Sequence, residues 1–341
     1  MSDHESIGET SSCDKISSSI LTSQYSFWLY RNEKIESINL FIQPVLSGDI
    51  YDIKVLLNDC LIFQRASIDY SMYFFSFRPN TCYIIKCKQD IIGHGSIKQW
   101  NINDDDGKIT SIIMIGLIYV RYDYRKFGIG ELLTNYIFNI NSEEINSINA
   151  NILIEHLPFY IRYDFQVSFS LVGFVGKLSQ FYNRKIQIDE DINIELYELS
   201  DILDIASYDH KIYPTYRIEY FEQLREHIYS IAGYVARSKK TNSILGYVIL
   251  NFSQLFIKCG PLYADNINIA LLLLKRCASD YDGMMLISIP ELNRNAIQIF
   301  KSKHFKQTDI LHRVYKGNQI FLNQFIFQRI WAITDDWLSL I

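Results

Sequence analysis

The spacing of apolar positions along the chain predicts strands and helices in an order that occurs twice. From residue 38 to 174 the pattern predicts a strand, two helices, three strands, a helix, a strand, a helix and a strand, and the same order returns from residue 194 to 308. In the first copy the second helix is predicted at Asp69–Phe77, and the third central strand is predicted to run without a break from Ile109 to Val120. A repeat of this length indicates duplicated domains and not a solenoid.

Changes in composition place the boundaries of the two domains. Residues 1–24 are rich in Ser, Asp and Glu and are predicted to form a disordered tail. Residues 181–192 are polar and charged and are predicted to be a linker. The sequence therefore predicts an α/β fold of two mixed α+β domains, at 25–180 and 193–341.

Composition and charge narrow the function classes. The chain has 341 residues, of which 48% are hydrophobic and 21% charged, as in globular proteins. A net charge of -5 gives no basic footprint for nucleic acid, and no apolar run reaches the ~18 residues of a membrane span. The six cysteines form no Cys-x-x-Cys pair, and the start of the chain has no apolar segment typical of a signal peptide. We therefore predict a cytoplasmic protein without a metal, a nucleic-acid partner or a membrane partner, and the sequence does not indicate its oligomeric state.

A short basic segment with two glycines is the strongest candidate site. Arg125–Gly130 leaves a predicted strand and opens a predicted helix, and Gly128 and Gly130 allow the backbone to come close to a ligand. The free amides of a helix start and the helix dipole attract an anion, and Arg125 and Lys126 add positive charge. The residues alone predict either an anion site built mostly from backbone or a plain glycine turn. The third glycine of a dinucleotide fingerprint and the Gly-Lys-Ser/Thr of a P-loop are both missing here.

The segment from Val120 to Gly130 resembles the acetyl-CoA loop of the GNAT superfamily of N-acyltransferases. The family pattern Arg/Gln-x-x-Gly-x-Gly/Ala is matched by Arg125, Gly128 and Gly130, with Lys126 where glycine is common. The resemblance implies that acetyl-CoA is the co-substrate and that two backbone segments bind it. The pantetheine arm would lie at a splay between strands, against Ile118, Tyr119 and Val120. The pyrophosphate would be held by Arg125, Lys126, Phe127, Gly128, Ile129 and Gly130.

The second half resembles the C-terminal domain of tandem GNAT proteins of the YitH-like kind. The resemblance is carried by Gly260–Asp265, His312–Gly317 and Arg329–Ile333. It implies two tandem GNAT domains, each a mostly antiparallel twisted sheet flanked by helices. Where the loop should recur, Asp265–Ala270 has no glycine and carries an acidic residue. We therefore expect one acetyl-CoA site, in the first domain, and a degenerate second domain.

Acyl transfer to an amine needs a proton for the departing thiolate and a group that accepts the amine proton. The resemblance places a tyrosine five residues before the phenylalanine of a Tyr-x-x-x-Gly-Phe pattern, a position that Tyr160 occupies here, with Asp164 in place of the glycine. The turn could therefore differ from that of the family. Glu155 and His156, at the end of the preceding strand, are the candidate bases, and the alternative is that each is a surface residue. The resemblance also allows water and a strand carbonyl to serve instead of a dedicated base.

The predicted function is an N-acetyltransferase that transfers an acetyl group from acetyl-CoA to a small-molecule primary amine by direct attack in a ternary complex. A non-catalytic CoA-binding scaffold or sensor with the same fold is the alternative, and a protein lysine or N-terminus is the alternative acceptor. The aromatic and basic segment Tyr213–Arg217 of the second domain is predicted to line the acceptor cleft.

Overall fold

The structure is a computed structural model, and it describes part of the chain. The described residues are 23–31, 34–58, 82–103, 109–140, 145–182, 190–213, 217–218, 220–222, 231–252, 256–319 and 324–333. Three predictions fall outside them in whole or in large part: the tail at 1–24 up to residue 22, the helix at Asp69–Phe77, and the linker from 183 to 189.

Strands and short helices alternate along the described chain. The strands are β1 (Ser23–Arg31), β2 (Lys34–Pro44), β3 (Cys82–Cys87), β4 (Asp90–Asn103), β5 (Ile109–Ile115), β6 (Tyr119–Val120), β7 (Ile145–Leu153), β8 (Gln166–Lys177), β9 (Ile192–Leu196), β10 (Ile231–Ser238), β11 (Ile244–Phe252), β12 (Ile257–Ala264), β13 (Met284–Pro290), β14 (Lys306–Gly317) and β15 (Ile330–Ala332). The α-helices with defined bounds are α1 (Ile50–Asn58), α2 (Ile129–Ile140), α3 (Leu157–Arg162), α4 (Ile202–His210), α5 (Ile267–Asp280), α6 (Arg294–Ser302) and α7 (Gln324–Arg329).

The chain divides into two compact units. The first contains residues 1–61, 77–97 and 117–143, and the second contains residues 62–76, 98–116 and 144–341.

In the first unit, β1 to β4 form an antiparallel meander, and the short β6 adds beside β4. Helix α2 packs Ile129, Leu133 and Ile137, spaced by four residues, into the core of this unit. Gly95 of β4 allows the close approach, because a Cβ there would lie 2.9 Å from Ile137 Cδ1 and 3.0 Å from Leu133 Cδ2. The start of α2 is thereby held in place on the sheet.

In the second unit, the strands lie in the order β5, β7, β14, β8, β13, β12, β11, β10, β9, with β15 beside β12. The pairs β5–β7 and β12–β13 are parallel and the other pairs are antiparallel. Consecutive residues of β11 contribute to different apolar clusters, Val248 to one that includes α5 and Tyr247 to one that includes α4. Because neighbouring side chains of a strand point to opposite faces, helices cover both faces of this sheet.

The last strands of the two sequence repeats are interleaved. Strand β8, from the first repeat, lies between β13 and β14 of the second repeat. Strand β14, from the second repeat, lies between β7 and β8 of the first. The two repeats therefore share one continuous run of strands inside the second unit.

The turn after the last helix of each repeat has the same geometry in both copies. The Phe165 amide donates to the Tyr160 carbonyl at 3.2 Å, and the Phe305 amide donates to the Phe300 carbonyl at 3.1 Å. The residue before each phenylalanine is left-handed, with φ of 64° at Asp164 and 58° at His304. The turn therefore does not differ between the copies, although neither has the glycine that this backbone conformation favours.

Four features depart from the predicted elements. The predicted strand from Ile109 to Val120 is interrupted after Ile115, since residues 116–118 separate β5, which pairs with β7, from the short β6, which pairs with β4. Strand β1 was not predicted, and it begins at Ser23, inside the segment predicted as the tail. The last strand of the second repeat extends to Gly317, beyond residue 308. Strand β15 is three residues long and was not predicted.

Candidate active site

The predicted cofactor segment begins at the edge of the first unit's sheet. Tyr119 and Val120 pair with His94 and Gly93 of β4, and the Arg121 amide donates to the Ile92 carbonyl at 2.8 Å. Ile118 precedes β6 and belongs to neither β5 nor β6. A single 3₁₀ turn, Tyr122–Tyr124, then leads to the basic residues.

Two left-handed residues shape the loop that precedes α2. Lys126 has φ of 68° and Gly128 has φ of 80°. A backbone in which left-handed residues alternate with others turns successive amides toward one point, forming a concave nest that binds anions. Glycine adopts this conformation without steric cost, whereas a lysine in it costs about 1–2 kcal/mol. The loop therefore keeps a strained residue in the geometry that an anion site needs.

Arg125 fixes the loop on the strand before it. Its Nε donates to the Val120 carbonyl at 2.8 Å, and its guanidinium carbon lies 5.0 Å from the Tyr119 ring centroid and 5.8 Å from that of Tyr122. The side chain thus connects β6, the 3₁₀ turn and the loop. This contact orients the loop backbone, in addition to the positive charge that the sequence analysis assigned to Arg125.

The first turn of α2 presents its amides at the same point. The Leu132 amide donates to the Gly128 carbonyl at 2.9 Å, and the amides that precede it in a helix start have no carbonyl within the helix. Thr134 Oγ1 donates to the Gly130 carbonyl at 2.8 Å, so this hydroxyl does not occupy the amides at the start of the helix. A Cβ on Gly130 would meet only Val120 Cγ2, at an ordinary 3.7 Å.

The matching loop of the second repeat is closed by its own side chains. Asn266 Oδ1 accepts from the Asn268 amide at 3.0 Å and from the Ile269 amide at 3.2 Å, capping the start of α5. Asp265 accepts from Tyr208 Oη at 2.9 Å and pairs with Arg329. The amides that would face a phosphate are thus occupied, and a carboxylate stands beside them.

Tyr160 lies in the second unit, in helix α3, and its side chain is buried. Its ring makes edge contacts with Phe159 at 5.4 Å and Phe165 at 5.2 Å between centroids. Burial raises the pKa of the Tyr160 phenol above its usual value, so the phenol keeps its proton at neutral pH. A protonated phenol is the form that can donate to a thiolate.

Glu155 and His156 lie in the 3₁₀ turn Ile154–His156, between β7 and α3, and both are exposed. Both residues belong to the same unit as Tyr160 and precede it by four or five positions in the sequence. They follow β7, the strand that pairs with β5. His94, on β4 of the first unit, is buried, and burial lowers the pKa of its imidazole to about 4.

One charged residue of the second unit was not predicted as a site residue. Arg313 on β14 is buried, and its Nε donates to Asn151 Oδ1 on β7. The sequence contained one indication that Arg313 is buried: residues two apart on a strand lie on the same face, and Leu311 is apolar. Of the segment predicted to line an acceptor cleft, Tyr213 contacts Met114 in the core and Arg217 pairs with Asp209, whereas 214–216 lie outside the described residues.

No three His, Cys, Asp or Glu side chains of the described segments are grouped in a way that could hold a metal ion. None of the described helices has both the length and the apolar surface that crossing a lipid bilayer requires.

Comparisons with known proteins point to one superfamily. The model of a GNAT acetyltransferase domain matches residues 205–324. The uncharacterized N-acetyltransferase YitH of Bacillus subtilis is 24% identical over 184 residues, which are 54% of this chain and 61% of the relative. The chain thus spans about three fifths of that relative's length.

Solved structures share the fold over most of the chain. A putative acetyltransferase from Pyrococcus horikoshii has a TM-score of 0.68 at 19% identity, covering 88% of this chain and 95% of that one. A tandem GNAT protein from the clavulanic acid biosynthesis pathway has a TM-score of 0.60 at 11% identity, covering 82% and 100%. A GNAT acetyltransferase domain is thus matched at residues 205–324, and the chain shares the fold of a tandem GNAT protein over 82% of its length.

Proposed function

We propose that the protein transfers an acetyl group from acetyl-CoA to a primary amine by direct attack in a ternary complex. The observation that carries the proposal is the loop before α2, where two left-handed residues and a helix start aim backbone amides at one point. Such a nest suits a pyrophosphate, which accepts many hydrogen bonds and carries negative charge.

Acetyl-CoA would be held by the residues of the first unit that the resemblance assigns to it. The backbone of Arg125–Gly130 would bind the pyrophosphate, and the backbone of Ile118, Tyr119 and Val120 would bind the pantetheine arm. The left-handed conformation of Gly128 and the hydrogen bond from Arg125 to the Val120 carbonyl fit this assignment. When bound, acetyl-CoA supplies the activated thioester. The capped loop at Asn266 supports a single site per chain.

Tyr160, Glu155 and His156 are the proposed proton-transfer groups. Tyr160 donates its phenolic proton to the departing thiolate, and the burial that raises its pKa disfavours the phenolate that this step forms, so the proton must be regained at once. Glu155 or His156 takes the proton of the ammonium, directly or through water. Attack by the neutral amine forms the C–N bond, and collapse of the tetrahedral intermediate breaks the C–S bond and releases the thiol. The nitrogen then loses its extra proton, which restores the Tyr160 phenol, directly or through water, and leaves the neutral amide. We place this reaction in the cytoplasm, with a small molecule as the acceptor.

Thiol release from acyl-CoAs tests the proposal. We expect acetyl-CoA to bind the full chain and a panel of primary amines to contain at least one that accelerates thiol release and gains 42 Da by mass spectrometry. Longer acyl-CoAs belong in the panel, because a Saccharomyces cerevisiae N-myristoyltransferase with bound myristoyl-CoA shares the fold with a TM-score of 0.56.

The outcomes separate the alternatives. Binding without turnover on any small amine, peptide lysine or peptide N-terminus supports the non-catalytic scaffold. Turnover on peptides alone supports the protein acceptor. Absence of any acyl-CoA binding contradicts the proposal itself.

A further inference from the structure

A buried arginine without a carboxylate partner lies in the second unit. Arg313 is 5% exposed, and its Nη2 has no hydrogen-bond partner among the described residues. Its Nε donates to Asn151 Oδ1, and its guanidinium carbon lies 5.4 Å from the Phe169 ring centroid. A neutral amide and an aromatic face leave the positive charge unmatched, which is costly away from water.

A second buried arginine nearby shows what full pairing looks like in this protein. Arg217 is equally buried and donates through Nε and Nη2 to both carboxylate oxygens of Asp209. Tyr247 Oη donates to the same carboxylate. Tyr263 lies within reach of both arginines, 6.0 Å from Arg217 Cζ and close enough to affect the pKa of Arg313. Arg217, Asp209 and Arg313 together therefore carry a net charge of one positive unit, because Asp209 neutralises Arg217 and leaves the charge of Arg313 unmatched.

The strand register places Arg313 level with the end of the ladder between β5 and β7. Arg313 pairs with Asn151 on one side and Phe169 on the other, and a register irregularity follows it on β14. The parallel ladder between β5 and β7 has its last pair at Ile115 and Ala150, so Asn151 is the first residue of β7 beyond it. Bulges often re-aim a side chain toward a site.

An aromatic side chain lies near the end of the same ladder. Tyr213 contacts Met114, one residue before the end of the β5–β7 ladder, and lies close enough to Arg313 to affect its pKa. The guanidinium is thus surrounded by Asn151, Phe169, Tyr213 and Tyr263, a polar and aromatic set without an acid among the described residues.

We propose that Arg313, oriented by Asn151, binds a carboxylate of the acceptor, so that the acceptor is an amine that carries a carboxylate group. This inference rests on the proposed function and narrows its substrate class. A planar carboxylate with one negative charge matches a guanidinium in geometry and neutralises the single unmatched charge. A phosphate monoester would bring nearly two negative charges and leave the buried cluster net negative.

The test compares amines that differ only in the carboxylate. Amino acids and their carboxamides serve as paired acceptors in the acetyl-CoA thiol-release assay with the full chain. We expect the wild type to prefer the acid form in kcat/KM by about 10–100-fold, the size of one charge-assisted contact. Arg313→Gln should bring this ratio to about one, and Arg313→Lys should give an intermediate ratio because it keeps the charge but not the planar fork.

Arg237 provides the matched control. It is also buried, but it donates to Asp201 at 2.7 Å and to Asp204 at 2.9 Å. Arg237→Gln should keep the acid-to-amide ratio of the wild type. An unchanged ratio in Arg313→Gln, or a wild type that does not distinguish acid from amide, overturns the inference and leaves the proposed function standing.

Stability without ligand gives a readout that does not need turnover. Arg313→Met removes an unmatched buried charge and should raise Tm by about 2 °C or more, whereas Arg237→Gln removes matched pairs and should lower it. A fall in Tm for Arg313→Met means that the guanidinium stabilises the fold, and it overturns the inference. If neither form of any amine is acetylated, the proposed function fails, and this Tm comparison still decides the role of Arg313.

Discussion

The two glycines of the loop before α2 should respond to alanine in opposite ways. Gly128 has φ of 80°, where an alanine costs about 1–2 kcal/mol. Gly130 lies in the first turn of α2, and its added Cβ meets only Val120 Cγ2 at 3.7 Å, so alanine there gains about 0.5–1 kcal/mol of helix propensity. The identical chemical change thus has opposite signs two residues apart.

Binding should separate the two variants as well. If Gly128→Ala abandons the left-handed conformation, the nest is lost, and the same 1–2 kcal/mol appears as about a 5–30-fold weaker affinity for acetyl-CoA. Gly130→Ala should bind within about threefold of the wild type, because its own surroundings accept the methyl group.

Urea unfolding and calorimetric titration with acetyl-CoA measure both quantities on the same preparations. The wild type and Gly130→Ala serve as references for Gly128→Ala. If Gly128→Ala unfolds at the same urea concentration as the wild type and binds acetyl-CoA equally well, the left-handed conformation of Gly128 has neither the cost nor the role assigned to it.

Three further changes test other parts of the account. Tyr160→Phe should lower kcat by about 100-fold or more with acetyl-CoA affinity unchanged. Tyr163→Phe, in the same turn, should leave kcat unchanged, and equal kcat values in the two variants would exclude Tyr160 as the acid. Asp164→Gly and His304→Gly should each raise the free energy of unfolding by about 0.5–1 kcal/mol, because both residues are left-handed; a loss in either would contradict this, as measured by urea unfolding. His94 has its pKa lowered to about 4, so between pH 6.5 and 4 the unfolded chain binds more protons, and stability should fall by on the order of 3 kcal/mol as the pH drops through this window. His94→Gln should show a shallower decline in unfolding experiments across that range, and an equal slope would show that His94 is not responsible.

The repeat and the loop before α2 could be predicted from the sequence because both depend on local signals. Apolar spacing defines β3 and α2 closely, and Gly128 with Gly130 marks a helix start where the backbone is special. The position of Lys126 in the left-handed region was not visible, since lysine has no preference for it and only the surrounding fold holds it there.

Local sequence patterns did not predict which strands pair across the two repeats. Nothing in the residues of β8 and β14 reveals that each strand lies beside strands of the other repeat. The interruption after Ile115 is not visible either, because the apolar run continues through residues 116–118, which belong to no strand. The unmatched charge of Arg313 emerges only from these pairings, because Asn151 and Phe169 become its neighbours through them.

The most direct test of the account is the stoichiometry of acetyl-CoA binding to the full chain by isothermal titration calorimetry. The loop before α2 offers its amides, whereas Asn266 occupies those of the matching loop in the second repeat. We predict one acetyl-CoA bound per chain. Two bound per chain would show that the second repeat also binds the cofactor, and none would contradict the assignment of the loop at Ile118–Gly130 as its site.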